Sequence, residues 1–178
     1  MRGIRRKEKE ITDKCEMLAV LDEAKYVVVA LCMDNEPYLV TLSHGYDRAR
    51  NCIYFHCAKE GKKVDILKAQ NTVWGQALVD KGYVQGACDH LYITTQFRGK
   101  VTFVETIEEK RHALEVMIYA LEDHPEKVLE AQVNERSVRD VQIGRIDIEF
   151  MSGKKSDRVI ISGQSTPPKN IDETERSN

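Results

Sequence analysis

The sequence predicts an α+β fold, mainly β, in which six antiparallel strands close or nearly close a barrel flanked by a few helices. Three observations predict it. β-Branched or alternating apolar runs succeed one another across short polar connections, the pattern of antiparallel strands. Helical periodicities fall before, between and after these runs instead of alternating one to one with them, which argues against a doubly wound sheet. No Gly-x-Gly-x-x-Gly follows a strand and no Gly-x-x-x-x-Gly-Lys-Ser/Thr occurs, so the common nucleotide folds are disfavoured.

Residues 7–24 carry Ile11, Cys15, Leu18 and Leu21 at helical spacing and predict an amphipathic helix. The run 26–33 is dense in β-branched residues and predicts a strand buried on both faces. Asp34, Asn35 and Pro37 supply a turn, and 38–44 returns as the second strand of a hairpin. After a polar turn at 46–51, residues 52–57 predict a third strand, so that three strands meander in sequence order. Beyond Gly61 the period changes, with Val64, Ile66 and Leu67 marking a short helix that ends near Asn71. Residues 72–79 predict the fourth strand, and 91–105 a fifth, long enough to bend around a barrel. Ala113, Leu114, Met117, Ile118 and Leu121 mark a helix, a weaker one follows Pro125, and the alternation in 141–150 gives a closing strand. One domain is therefore expected over 1–160, with an N-terminal helix at 7–24, a barrel at 26–105 and 141–151, and helices within 107–134. The polar segment 161–178, rich in Pro and Ser, is expected to be disordered.

Composition excludes several classes of function. With 27 Lys and Arg against 29 Asp and Glu there is no global field to draw nucleic acid or an acidic membrane, so any anion site must be local. No apolar run approaches the ~20 residues that span a bilayer. The basic start leads into Glu8, Glu10 and Asp13 instead of an apolar stretch, so no secretory signal is expected and the cytoplasm is the expected location. Five cysteines, several in apolar segments, imply no disulfide framework.

Lys59, Gly61, Lys62 and Lys63 lie where a helix begins. Free N–H groups and the positive end of the helix dipole favour an anion there, and lysines at that end are unfavourable unless an anion joins them. The alternative is a solvated charged turn balanced by Glu60 and Asp65. On the preceding strand Tyr54 and His56 share one face and Ile53, Phe55 and Cys57 the other. If the apolar set faces inward, His56 projects toward whatever docks beside the sheet, or is a surface histidine. His44, Cys88, Asp89 and His90 lack metal-ligand spacing, and Cys57 lacks an orienting base for nucleophilic chemistry.

Taken in order, the segments 5–11, 36–47, 53–63, 92–101 and 148–154 resemble the FMN-binding split barrels related to pyridoxamine 5'-phosphate oxidase. Within them the chain is most similar to the nitroimidazole-reductase-type resistance proteins. The resemblance implies a homodimer with flavin sites between subunits. It implies that the backbone of Tyr38, Val40, Thr41, Leu42 and Ser43 lies along the isoalloxazine, that His56 and Cys57 contact it, that Lys62 and Lys63 grip the phosphate, and that Gln96 comes from a later strand against the cofactor. The oxidases carry arginine and lysine where this chain has Tyr38 and Ser43, and their C-terminal pyridoxal-binding features have no counterpart, so pyridoxamine oxidation is not implied. What is implied is an FMN-dependent oxidoreductase, with FAD as the alternative flavin and reduced nicotinamide as a donor. Its acceptor is a small nitroaromatic or quinone-like compound, and His56 is the candidate proton donor. A flavin carrier or sensor without turnover, or a haem-binding barrel using His44, His56 or His90, are the rival readings.

Overall fold

The computed structural model describes residues 3–156 and residue 159. A single 3-10 turn at Lys7–Lys9 precedes the short strand β1 (Glu10–Ile11) and helix α1 (Lys14–Glu23). Strands β2 (Val27–Met33), β3 (Glu36–Leu42), β4 (Gly45–Asp47) and β5 (Cys52–Cys57) follow, then α2 (Lys62–Ala69), β6 (Thr72–Val84) and β7 (Asp89–Val104). Three helices, α3 (Ile107–Leu121), α4 (Pro125–Gln132) and α5 (Glu135–Asp140), lead into the closing strand β8 (Gln142–Lys155). The class is the expected one. Two short strands, β1 and β4, and helix α5 are additional to the elements read from the sequence.

The strands form one antiparallel sheet in the order β3-β2-β6-β7-β8-β5-β4, with β1 paired to β8. Val27, Val29 and Leu31 of β2 share a core with Ile53 and Phe55 of β5, four places away in that order, so the sheet wraps onto itself. Its two ends, β3 and β4, are joined by Ser43 and His44 but are not paired, so among the described residues the outer edge of β3 has no ladder partner. The barrel is split there. Phe55 fits because its cross-strand partner is Gly144, where an added Cβ would lie 2.2 Å from the ring.

Two expectations are corrected. The helix expected over 7–24 begins only at Lys14: Ile11 is buried and paired with Gly153 in β8, and the Asp13 carboxylate caps α1 by accepting from the Cys15 N–H at 2.8 Å. The three-strand meander does not form either, because β5 pairs with β4 and β8 and not with β3. Asp47 explains the rerouting: its carboxylate accepts from the N–H groups of Ala49 and Arg50, fixing a tight turn that folds β4 back on β5. The segment 161–178 lies outside the described residues.

A second, smaller core lies on the outer side of the barrel. Cys52 and Tyr54 of β5, Val104 and Ile143 pack there against Ala113 and Met117 of α3, so β5 is buried on both faces along most of its length. Among the described residues no helix is long and apolar enough to cross a membrane.

Candidate functional site

The unpaired edge of β3 faces the start of α2. Helix α2 begins at Gly61, whose φ of +123° is a conformation few residues other than glycine adopt. Glycine also leaves the helix without a side-chain cap, so the N–H groups of Lys62 and Lys63 are not taken by one, while the Val64 N–H donates to the Gly61 carbonyl at 2.8 Å. Between these elements lies a cleft of about 440 Å³ lined by Tyr38, Leu39, Val40 and Thr41 on one side and by Ala58, Glu60 and 61–64 on the other.

The partners of the two lysines of that turn bear on the choice between an anion site and a self-balanced charged turn. Among the described residues neither Lys62 nor Lys63 forms an ion pair, with Glu60, Asp65 or any other carboxylate. Each instead lies over an aromatic ring: Lys62 Nζ is 4.6 Å from the centre of Tyr38, and Lys63 Nζ is 5.7 Å from that of Phe55. Two cations at the positive end of a helix dipole, without an ion pair to a carboxylate among the described residues, favour an anion there.

A larger groove of about 950 Å³ runs across the outer face of β3, β2, β6 and β7. Its floor includes the exposed Val28, Leu39, Trp74 and Leu78, with Gln76 and Gln96 directly opposite one another on β6 and β7. Leu39 and Thr41 line both cavities, so the two meet along β3.

The structure thus gathers Tyr38, Val40, Thr41, Lys62 and Lys63 in one cleft and places Gln96 in the adjoining groove. Leu42 is buried against the core, and Ser43 lies half-buried just past the end of β3. His56 is exposed, on the face of β5 opposite Phe55, while Cys57 packs half-buried against the core. Burial pushes the Cys57 thiol up, and the nearby Lys63 charge offsets part of that. Trp74 and Gln76 were not picked out from the sequence as site residues. The signal was the alternation in 72–79, which puts Trp74, Gln76 and Leu78 on one face of a strand.

The three histidines that could ligate iron are far apart in role. His44 is buried and its Nε2–H donates to the Leu21 carbonyl at 2.9 Å, and burial pushes its pKa down. His90 pairs with Asp80 at 2.9 Å on the exposed β6–β7 hairpin. Among the described residues no three His, Cys, Asp or Glu side chains gather as a metal site.

A separate charged cluster ties α3 to the sheet. Glu109 accepts from Arg145 at 2.6 Å, from the Tyr54 hydroxyl at 3.1 Å and from Arg50 at 3.4 Å, while Asp47 meets His112 at 2.7 Å. Burial alone would raise the Glu109 carboxyl, but the hydrogen bonds from Arg145 and Tyr54 outweigh it and hold the group below the usual range.

A family model described as pyridoxamine 5'-phosphate oxidase matches residues 13–155. Among solved structures, a candidate 5-nitroimidazole antibiotic resistance protein from Bacteroides thetaiotaomicron superposes with a TM-score of 0.68 at 25% identity, covering 82% of this chain and 86% of its own. The flavocytochrome Anf3 from Azotobacter vinelandii gives 0.73 at 14% identity, covering 87% and 72%. An FAD-binding protein from Mesorhizobium loti gives 0.59 at 21%, covering 81% and 95%. The last two establish likeness of fold. Among curated proteins none matches significantly.

Proposed function

Since the chain belongs to the pyridoxamine 5'-phosphate oxidase family, whose fold is the flavin-binding split barrel, we propose that it binds FMN and uses it to reduce a small nitroaromatic or quinone-like acceptor. The observation that carries this reading is the pair of lysines that, among the described residues, have no ion pair to a carboxylate and stand at a start of α2 without a side-chain cap. Lys62, Lys63 and the first-turn N–H groups suit a phosphate. The unpaired edge of β3 offers backbone donors and acceptors to the polar rim of a flat ring, and the apolar groove beyond it suits the ring's faces. Bound flavin supplies two-electron redox chemistry, with a reduced nicotinamide as the donor class. The protein's own part is to anchor the phosphate, orient the ring and exclude water.

The exposed Val28, Leu39, Trp74 and Leu78 give the groove an apolar floor that a second copy of the chain would cover, with Gln96 then close to the partner's flavin. His56, exposed on β5, is the group proposed to supply a proton at the acceptor. Purified protein is expected to carry or take up FMN, with flavin absorption in the visible. NADH or NADPH should bleach it, and a nitroaromatic should restore the colour. Protein that stays colourless and does not bind added FMN contradicts the reading, while bound flavin that no donor reduces leaves the carrier function in its place. Light scattering that reports a monomer at micromolar concentration would remove the shared-site arrangement.

A further inference from the structure

We propose that Tyr38 is a positioning residue for the phosphate end of the cleft: its ring holds the Lys62 ammonium in place before ligand arrives. This rests on the phosphate reading above and adds to it a residue whose side chain acts through another. A lysine on the exposed first turn of a helix has four rotatable bonds and would ordinarily sweep solvent, at a loss of side-chain entropy each time it closes on a ligand. Here Lys62 Nζ lies 4.6 Å from the centre of the Tyr38 ring, within the range of a cation–π contact. The ring itself is firmly held. Tyr38 lies in β3 opposite Leu31, is half-buried and packs against the main core.

Two further observations identify the ring, not the hydroxyl, as the working part. Among the described residues the Tyr38 hydroxyl makes no hydrogen bond, so the phenol is not there to satisfy a buried partner. Lys63, adjacent in sequence, is seated in the same manner on Phe55, a ring of a different strand. Two like charges next to one another repel, and seating each on its own ring keeps both at the cleft without an ion pair, among the described residues, that a ligand would have to break. Phe55 is fully buried against Gly144 and cannot be changed without damage to the core, whereas Tyr38 can.

The test measures affinity for FMN and for riboflavin, which lacks the phosphate, in Tyr38→Leu, Tyr38→Phe, Lys62→Ala and the Tyr38→Leu/Lys62→Ala double variant, each first checked for native circular dichroism. Tyr38→Leu keeps an apolar side chain without a ring face, and should weaken FMN about two- to fivefold with riboflavin unchanged. Tyr38→Phe should restore wild-type affinity, and in the Lys62→Ala background Tyr38→Leu should have no further effect on FMN. Equal losses for FMN and riboflavin, or a loss that persists without Lys62, would overturn the proposal and leave Tyr38 as packing. A wild-type protein that binds riboflavin as tightly as FMN overturns the phosphate reading itself. A preference for FMN that Lys62→Ala abolishes and Tyr38→Leu leaves intact keeps that reading and removes Tyr38 from it.

Discussion

Tyr54 and Phe55, neighbours on β5, look onto two regions that handle charge in opposite ways. The Tyr54 hydroxyl enters the cluster beneath α3, where Glu109 meets Arg145 and Arg50 and where Asp47 meets His112. Phe55 lies under Lys63 at the start of α2, where among the described residues two adjacent cations have rings beside them and no ion pair to a carboxylate. The first region is complete in the protein as it stands. On the proposed function, the second is completed by an anion from outside. Saturation is what structure requires, and unsatisfied charge at a helix end is what binding requires, so the difference separates a stabilising cluster from a site without appeal to either one's prominence.

The comparison can be broken most forcefully by removing the hub of the first region. Glu109→Ala strips an acceptor from the buried Tyr54 hydroxyl and from the half-buried Arg145, which keeps Asp147, and should cost about 1 kcal/mol of stability in urea unfolding while FMN affinity is unchanged. A stability loss confined to the noise would mean that solvent satisfies those groups as well as Glu109 does. The second region should respond in the other direction. Lys62→Ala with Lys63→Ala relieves two cations at the wrong end of a helix dipole, and the ligand-free protein should melt at an unchanged or slightly higher temperature, the gain being roughly 0.3–1 kcal/mol per charge at low salt. A clear fall in melting temperature would show that the lysines are structural.

Acid sharpens the contrast by the smallest increment. Asp47, like Glu109, is buried against charge: its burial opposes ionisation, and the hydrogen bonds from His112, Arg50 and Ala49 overcome it, so both carboxyls are held below their ordinary values of 3.8 and 4.5. A carboxyl whose folded pKa is depressed contributes stability that is fully present above the unfolded value and is lost as pH falls through the folded one. Stability should therefore decline below about pH 4.5, and Glu109→Ala should make that decline shallower. An identical acid profile in the variant would place the acid-sensitive groups elsewhere.

Much of the barrel was legible because its strands are built from local signals: the β-branched run of β2, the Asp-Asn turn into β3 and the alternation of β8 each specify their own conformation. What the sequence hid was pairing. Nothing in 52–57 says that its neighbours are β4 and β8 instead of β3, since that depends on Asp47 folding a tight turn and on a strand nearly a hundred residues away. The same blindness affected the N-terminus, where Ile11 fits a helical spacing but is claimed by an edge of β8. The cleft was half legible. Lysines after a glycine at a helix start stand out in a sequence, whereas the partnering of Tyr38 with Lys62, and the opposition of Gln76 to Gln96, exist only once β3, α2, β6 and β7 are assembled.

On the proposed function, the charge at the start of α2 awaits a phosphate, and this can be read from a titration of FMN into the wild-type protein and into Lys62→Ala with Lys63→Ala, followed by quenching of flavin fluorescence. Charge-assisted contacts of roughly 1.5–3 kcal/mol each predict that the double variant binds FMN at least about a hundredfold more weakly. Equal affinity in the two proteins would contradict the account.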